Sequence, residues 1–384
     1  MNKNFSLYLD VVRFGAAIGV VFSHFVIARW TGGAFPDVVV NIFQQVGVDL
    51  VMVFFVLSGF VIAYTVDVKD RLWRDYAFSR ATRMYSVAIP AIVLAFLLDR
   101  GGAALNPEAY QGWWYAEHSL VSLLLRGASF TNEFWIAPFR VGSNGPFWSL
   151  GYEIWYYVLF GFAVFSKGLI RLGAFALVLL LAGPGIALLG AVWLMGVALY
   201  QVVKQGWLEK LKGRLAVIGA GFAMVAPVIL YGAMHALDVN YFIHGLSTDV
   251  LGLMGLTEAA GRAQLFLWHW LVGVLVVVHF IGVAVLLKNI PLLAPKSLSN
   301  PIRWLAGASF SIYVVHYPVM QAMDAVLVGD AANPYRMAFL AGSTLIVCFL
   351  FADIFERPLP RFRGWLRTLS DPLRSSRVVI RPGE

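Results

Sequence analysis

The sequence predicts an all-α protein, a polytopic transmembrane helical bundle of about ten spans, and three observations predict it. Of its 384 residues, 60% are hydrophobic and 13% charged, whereas soluble chains run near 45–50% apolar and about 25% charged. The apolar residues gather in repeated runs of roughly 16 to 25, about the length a helix needs to cross ~30 Å of hydrocarbon. The basic residues sit in short loops between these runs, the pattern by which a membrane protein holds its orientation. The strand alternation of an outer-membrane barrel is absent, which leaves helices to satisfy the backbone in lipid.

In chain order the predicted spans are 9–30, 48–66, 84–99, 148–165, 169–186, 188–203, 215–234, 263–287, 304–328 and 336–355. The segment 240–256 is apolar but carries His244, Asp249 and several glycines. With ten spans and a cytoplasmic N-terminus, every basic residue except Arg29, Arg100, Arg126, Arg140, Arg262 and Arg336 falls inside. An eleventh span over 240–256 would carry Lys288, Lys296, Arg303 and the seven arginines from Arg357 onward to the outside, so this segment is expected to be re-entrant or interfacial. The longest non-spanning stretch, 100–147, is placed outside; its Tyr110, Trp113, Trp114, Tyr115 and Trp135 suit chain lying at the headgroup level. Residues 1–358 read as one membrane domain and 359–384 as a basic cytoplasmic tail. No internal repeat is evident, which weakens an inverted-repeat transporter.

The net charge of +8 follows this topology and does not indicate nucleic-acid binding. The single cysteine, Cys348, excludes an internal disulfide and a CxxC redox or metal site. The first apolar run contains Arg13 and His24 and lacks a small-residue cleavage site, so no cleavable signal is expected.

Ionisable groups inside spans are costly, and each is a functional candidate. In LDVVRFGAAIGVVFSHF, Arg13 and His24 are three helical turns apart and share a face, separated by ~16 Å of rise. Gly15 and Gly19 form a GxxxG suited to a close helix neighbour. Asp10 can partner Arg13 as a snorkelling surface pair. His24 reads either as a packing histidine or as a general base. Asn144 through Glu153 enters the fourth span from outside, with Ser149 and Glu153 on one face. Glu153 falls in the same half of the membrane as His24 and could orient it, or serve another buried polar group. Ser149 lacks a G-x-S-x-G elbow and is a weak nucleophile candidate.

Asp49 is expected to cap the second span. Arg80 and Arg83 serve either topology or the phosphates of a cytoplasmic donor. His316, beside Pro318 in mid-span, reads more readily as packing than as catalytic. Glu356-Arg-Pro358 reads as an anchor for the last span. His269 and His279 lack a second ligand pair, so haem and metal readings are rejected.

Together these segments resemble the acyltransferase-3 family of integral-membrane O-acyltransferases. The resemblance runs from Leu9 to Pro358. It rests on LDVVRFGAAIGVVFSHF, on Gly47-Val-Asp-Leu followed by FFVLSGFVIA, and on Arg80 and Arg83. Asn144 through Glu153, Ser309 through Pro318 and Phe355 through Pro358 complete it, all in family order. The family's paired arginine and histidine match Arg13 and His24. Its WSL-x-x-E segment matches Trp148, Ser149, Leu150 and Glu153, with Gly151 where many members carry serine.

The resemblance implies an enzyme of the bacterial inner membrane, with both termini cytoplasmic. It would move an acyl group, usually acetyl, from acyl-CoA to a hydroxyl of a surface or exported carbohydrate or lipid-linked sugar. Acyl-CoA is then a co-substrate, and no tightly bound cofactor is expected. The implied catalytic residues are His24 as general base and Glu153 as its orienting partner. Arg13, Arg80, Arg83, Asn144, Trp148, Ser149, Tyr313 and His316 are the implied donor- or substrate-binding residues. An acyl-histidine intermediate is the mechanistic alternative, and a transporter or flippase the functional one. No appended soluble esterase-like domain is expected after Pro358.

Overall fold

In this computed structural model, which describes residues 2–136, 138–290 and 295–370, every predicted span is helical. The helices are α1 (Lys3–Phe25), α2 (Ala28–Thr31), α3 (Asp37–Val68), α4 (Trp73–Leu105), α5 (Leu120–Ala128), α6 (Trp148–Phe165), α7 (Gly168–Ala182) and α8 (Pro184–Lys204). They continue with α9 (Arg214–Ala236), α10 (Val239–Leu253), α11 (Phe266–Asn289), α12 (Lys296–Ala306), α13 (Ser309–Val326), α14 (Pro334–Phe351) and α15 (Leu359–Ser370). No strand occurs among the described residues.

Among the described residues, seven helices are long and apolar enough to cross a membrane: α1, α3, α4, α8, α9, α11 and the run Pro334–Leu369. The other three predicted spans are shorter or more polar: α6 and α13 have 18 residues and α7 has 15. The segment 240–256 forms α10, whose 15 residues rise only about 22 Å. The predicted basic tail begins as α15, and residues 371–384 lie outside the described residues.

Prolines set several boundaries. Pro184 and Pro334 open α8 and α14, where a missing N–H costs nothing, and the Asn333 side chain caps α14. Pro36 precedes α3, so this helix starts eleven residues earlier than the apolar run suggested. Asp49 is therefore not a cap. It is buried in mid-helix and accepts hydrogen bonds from Tyr231 Oη at 2.7 Å and Trp268 Nε1 at 3.0 Å.

α13 runs through the centre against α1, α4 and α14 and buries Ser311, His316 and Gln321 completely. α9 lies at the periphery against α11 and leaves Leu215, Phe222 and Ile229 exposed. Polar groups inside and apolar groups outside is the arrangement a lipid surround requires.

Candidate active site

Helix α1 carries Arg13 near one end of the bundle and His24 at the other end of the same face. Its approach to α3 is close: a Cβ on Gly47 would stand 2.3 Å from Ser23 Oγ, and one on Gly19 would stand 2.5 Å from Leu50 Cδ1. The predicted GxxxG is therefore half used, since a Cβ on Gly15 would meet open space. Gly47 thereby fixes the turn of α1 that ends in His24.

At the basic end, three arginines from two helices line one cavity of about 160 Å³. Arg13 Nη2 donates to Asp10 at 3.2 Å and to the Ala306 carbonyl at 3.0 Å. That carbonyl ends α12, where unpaired acceptors favour a cation. Arg80 pairs with the buried Asp70 at 3.0 Å, and Arg83 pairs with the buried Glu356 at 2.9 Å. The second oxygen of Glu356 accepts from the Ser311 backbone N–H at 2.8 Å, in the first turn of α13. Glu356 thus joins α4, α13 and the end of α14, a larger role than the predicted anchor.

The chain aims Glu356 inward through a π turn, Ala352–Glu356, closed by Arg357 N–H to Ala352 O at 2.9 Å. Pro358 has no N–H for the carbonyl four residues earlier, and the ladder changes step just before it. Although ion-paired, Arg13 and Arg80 each keep a buried Nε–H without a partner. These are donors that an anion entering the cavity could meet.

Beyond the arginines the cavity is walled by Phe54, Phe310, Ser149, Glu153 and Tyr313. Glu153 accepts from Tyr157 Oη at 2.5 Å, and Tyr157 shares a hydrogen bond with Ser58 at 3.1 Å. The expected pairing of Glu153 with His24 is not formed. Glu153 faces Tyr157, while His24 faces α13.

His24 instead meets His316: Nδ1 to Nε2 is 2.9 Å, with the rings stacked 5.2 Å apart. His316 Nδ1 lies 2.9 Å from the Ile312 carbonyl, which can only accept. His316 Nδ1 therefore carries the hydrogen, and its Nε2 is the acceptor for His24 Nδ1–H. This leaves the lone pair of His24 on Nε2. In this chain of hydrogen bonds the tautomer of His24 is fixed by His316. His316 is thus buried and hydrogen-bonded through both ring nitrogens. Tyr313, one turn earlier on α13, lines the cavity and lies 6.5 Å from the His316 ring, which connects the arginine-lined space to the histidine pair.

The Asn144–Glu153 stretch divides this space from a second one. The Pro146 carbonyl accepts from Tyr313 Oη at 3.1 Å and from Ser149 Oγ at 3.4 Å, pinning the turn before α6 against α13. Ser149 and Glu153 face the arginine cavity, whereas Asn144 and Trp148 face a polar cavity of about 450 Å³ at the far end. That second cavity also holds Asn132, Glu133, Arg140 and Arg262. Sequence reasoning counted the two arginines only as outside charges; their convergence needs the loop fold. Its frame is Asp99, which accepts from Ser143 Oγ at 2.5 Å and Ser143 N–H at 2.9 Å. Burial holds the Glu133 carboxyl above the usual carboxylate range, against the opposing pull of Arg262 and the Asn132 amide.

Among the described residues, no three His, Cys, Asp or Glu side chains gather as a metal would need. The fold and its charged and polar cavities define a multi-helix membrane protein with a histidine pair set between two differently charged spaces. The sequence profile of the acyltransferase-3 domain, described as an acyltransferase domain, matches residues 6–353. The chain belongs to this acyltransferase family. It is 25% identical over 219 residues to an O-acetyl transferase of Shigella phage Sf6, covering 56% of this chain and 61% of that protein. It is 22% identical over 379 residues to the peptidoglycan O-acetyltransferase OatA of Listeria monocytogenes, covering 91% of this chain and 55% of that protein. The chain spans less than two thirds of the length of these curated relatives. No solved structure matches it.

Proposed function

We propose that this protein transfers an acyl group, acetyl in the simplest case, from acyl-CoA to a hydroxyl of a surface or exported glycan. The observation that carries the reading is the histidine pair beside an arginine-lined cavity. In this reading the chain crosses a bacterial inner membrane ten times, with the arginine end of the bundle in the cytoplasm. The phosphates of CoA sit at the mouth, against Arg80, Arg83 and the free Nε–H groups of Arg13 and Arg80. The thioester arm runs past Tyr313 toward His24.

His24 Nε2 takes the proton of the acceptor hydroxyl as that oxygen attacks the thioester carbonyl. His316 Nε2, already accepting from His24 Nδ1–H, supports the imidazolium that forms. The carbon–sulfur bond then breaks, and the proton passes from His24 to the departing thiolate, so ester and CoA thiol leave with no net proton change. Glu153 helps shape the thioester pocket through Tyr157, and the wall of Ser149 and Tyr313 separates donor from acceptor. The known relatives, an O-acetyl transferase and a peptidoglycan O-acetyltransferase by name, support a glycan hydroxyl as acceptor.

The test is thiol release from acetyl-CoA by membranes carrying the protein, with candidate glycans added. His24→Ala is expected to lower transfer by about 10²–10⁴-fold while the protein still elutes as an assembled species. Wild-type transfer by that variant would sink the assignment. Glycan export without any thiol release would favour transport instead.

A further inference from the structure

The polar cavity at the far end of the bundle combines three features that a structural role leaves unexplained. Asn144 is 2% exposed, and both its amide oxygen and its amide nitrogen lack a partner; Asn132 is 1% exposed, and its Oδ1 is likewise unpaired. Buried amides are satisfied in nearly every folded protein, so three orphan atoms lining one cavity imply a ligand that completes them. The charge is also unbalanced. Arg140 and Arg262 face the cavity and repel each other, with Glu133 as the acid between them. Among the described residues Arg262 has no carboxylate within ion-pairing distance, and its guanidinium lies 5.8 Å from the Trp148 ring.

Gly151 adds a specific detail. A Cβ there would stand 3.0 Å from Asn132 Oδ1 and 3.1 Å from its Nδ2. A serine here would crowd the amide and could donate to the oxygen. Glycine leaves that oxygen free. Asn132 Nδ2 meanwhile donates to Glu133 at 3.4 Å, which turns the oxygen away from the acid. The cavity is also tied to the chemistry: the Pro146 carbonyl, next to its Gly145 and Phe147, accepts from Tyr313 Oη, and the Tyr313 ring lies 6.5 Å from that of His316, the partner of His24.

We propose that this cavity is the acceptor subsite and that it selects an anionic glycan, one whose sugar carries a carboxylate or a phosphate. The inference rests on the acyl-transfer reading, because it places an acceptor where that reaction needs one. Arg262 meets the acidic group, and the amides of Asn132 and Asn144 meet sugar hydroxyls.

The experiment is calorimetric binding to the detergent-purified full chain carrying His24→Ala, so that turnover does not enter. The probes are a tetrasaccharide of alternating glucuronate and N-acetylglucosamine and its carboxyl-reduced neutral counterpart. The acidic probe is expected to bind about tenfold more tightly, as a charge-assisted contact implies. Arg262→Gln should remove that ratio, and Asn144→Ala should weaken both probes. Equal affinity for the two probes, or a ratio that survives Arg262→Gln, overturns the proposal. Loss of selectivity for acid with thiol release intact in the wild type leaves the transfer reading standing; selective binding without any thiol release does the reverse.

Discussion

The two cavities on either side of the Pro146–Tyr313 wall are built on opposite principles. At the arginine end each guanidinium has a carboxylate: Asp10, Asp70 and Glu356 answer Arg13, Arg80 and Arg83. At the far end the amides of Asn132 and Asn144 hold orphan atoms, and Arg262 stands without an ion-pair partner among the described residues. The first set of charges is already part of the architecture, joining α4 to α13 and α1 to α12, and offers a ligand only its spare N–H groups. The second set contributes little to holding helices together. A mostly paired site is preorganised and stabilising at once, while an unpaired one is kept by the surrounding loop frame and by what binds to it.

The sharpest way to break this contrast is Glu356→Gln. Removing one partner of a buried pair leaves Arg83 uncompensated and weakens the cap on α13, at a cost of about 3 kcal/mol. Thermal unfolding in detergent should move down accordingly; an unchanged midpoint would mean that the arginine end is not structural. A second variant separates chemistry from architecture. His316→Ala removes the acceptor that fixes His24, and transfer should fall about 10–100-fold with little change in the apparent KM for acetyl-CoA. Equal losses in binding and turnover would assign His316 to packing after all.

Gly47→Ala tests whether helix approach sets the site. The added methyl would overlap Ser23, move α1 away from α3 and misplace His24, lowering kcat by about tenfold. Activity that matches wild type would show that the turn holding His24 tolerates the shift. The smallest effect belongs to the far cavity. Glu133 sits above the usual carboxylate range through burial, facing Arg140, Arg262 and the Asn132 amide. As pH rises through that raised value the carboxyl ionises, adds negative charge and opposes an anionic acceptor. Affinity for the acidic tetrasaccharide should therefore decline about threefold on raising the pH, and Glu133→Gln should flatten the profile. A profile that keeps its slope in that variant would move the effect to another group.

Much of the helical frame was legible in the sequence because hydrophobicity fixes which segments can enter lipid. All ten apolar runs became helices, even where proline moved a boundary, as Pro36 did for α3. The motif residues also gathered: Arg13, Arg80, Arg83, Ser149, Glu153 and Tyr313 line one cavity. Partnership was less legible. The sequence reading put His24 and Glu153 in the same half of the membrane, yet Glu153 meets Tyr157 and His24 meets His316. Asp49 looked like a cap because its apolar run began beside it, although the helix had begun three turns earlier.

What the sequence by itself determined is how far each group lies along the bundle. That distance follows from a rise of 1.5 Å per residue and from the apolar length that a membrane demands. It was enough to put Arg13 and His24 on one face, three turns apart. Only the tertiary structure decided who meets whom across helices. The choice of His316 for His24, Glu356 for Arg83 and an open cavity for Asn144 depends on helix rotation and approach. Those are set by packing between segments far apart in the chain, where a single Cβ at Gly47 or Gly151 decides whether two groups can touch.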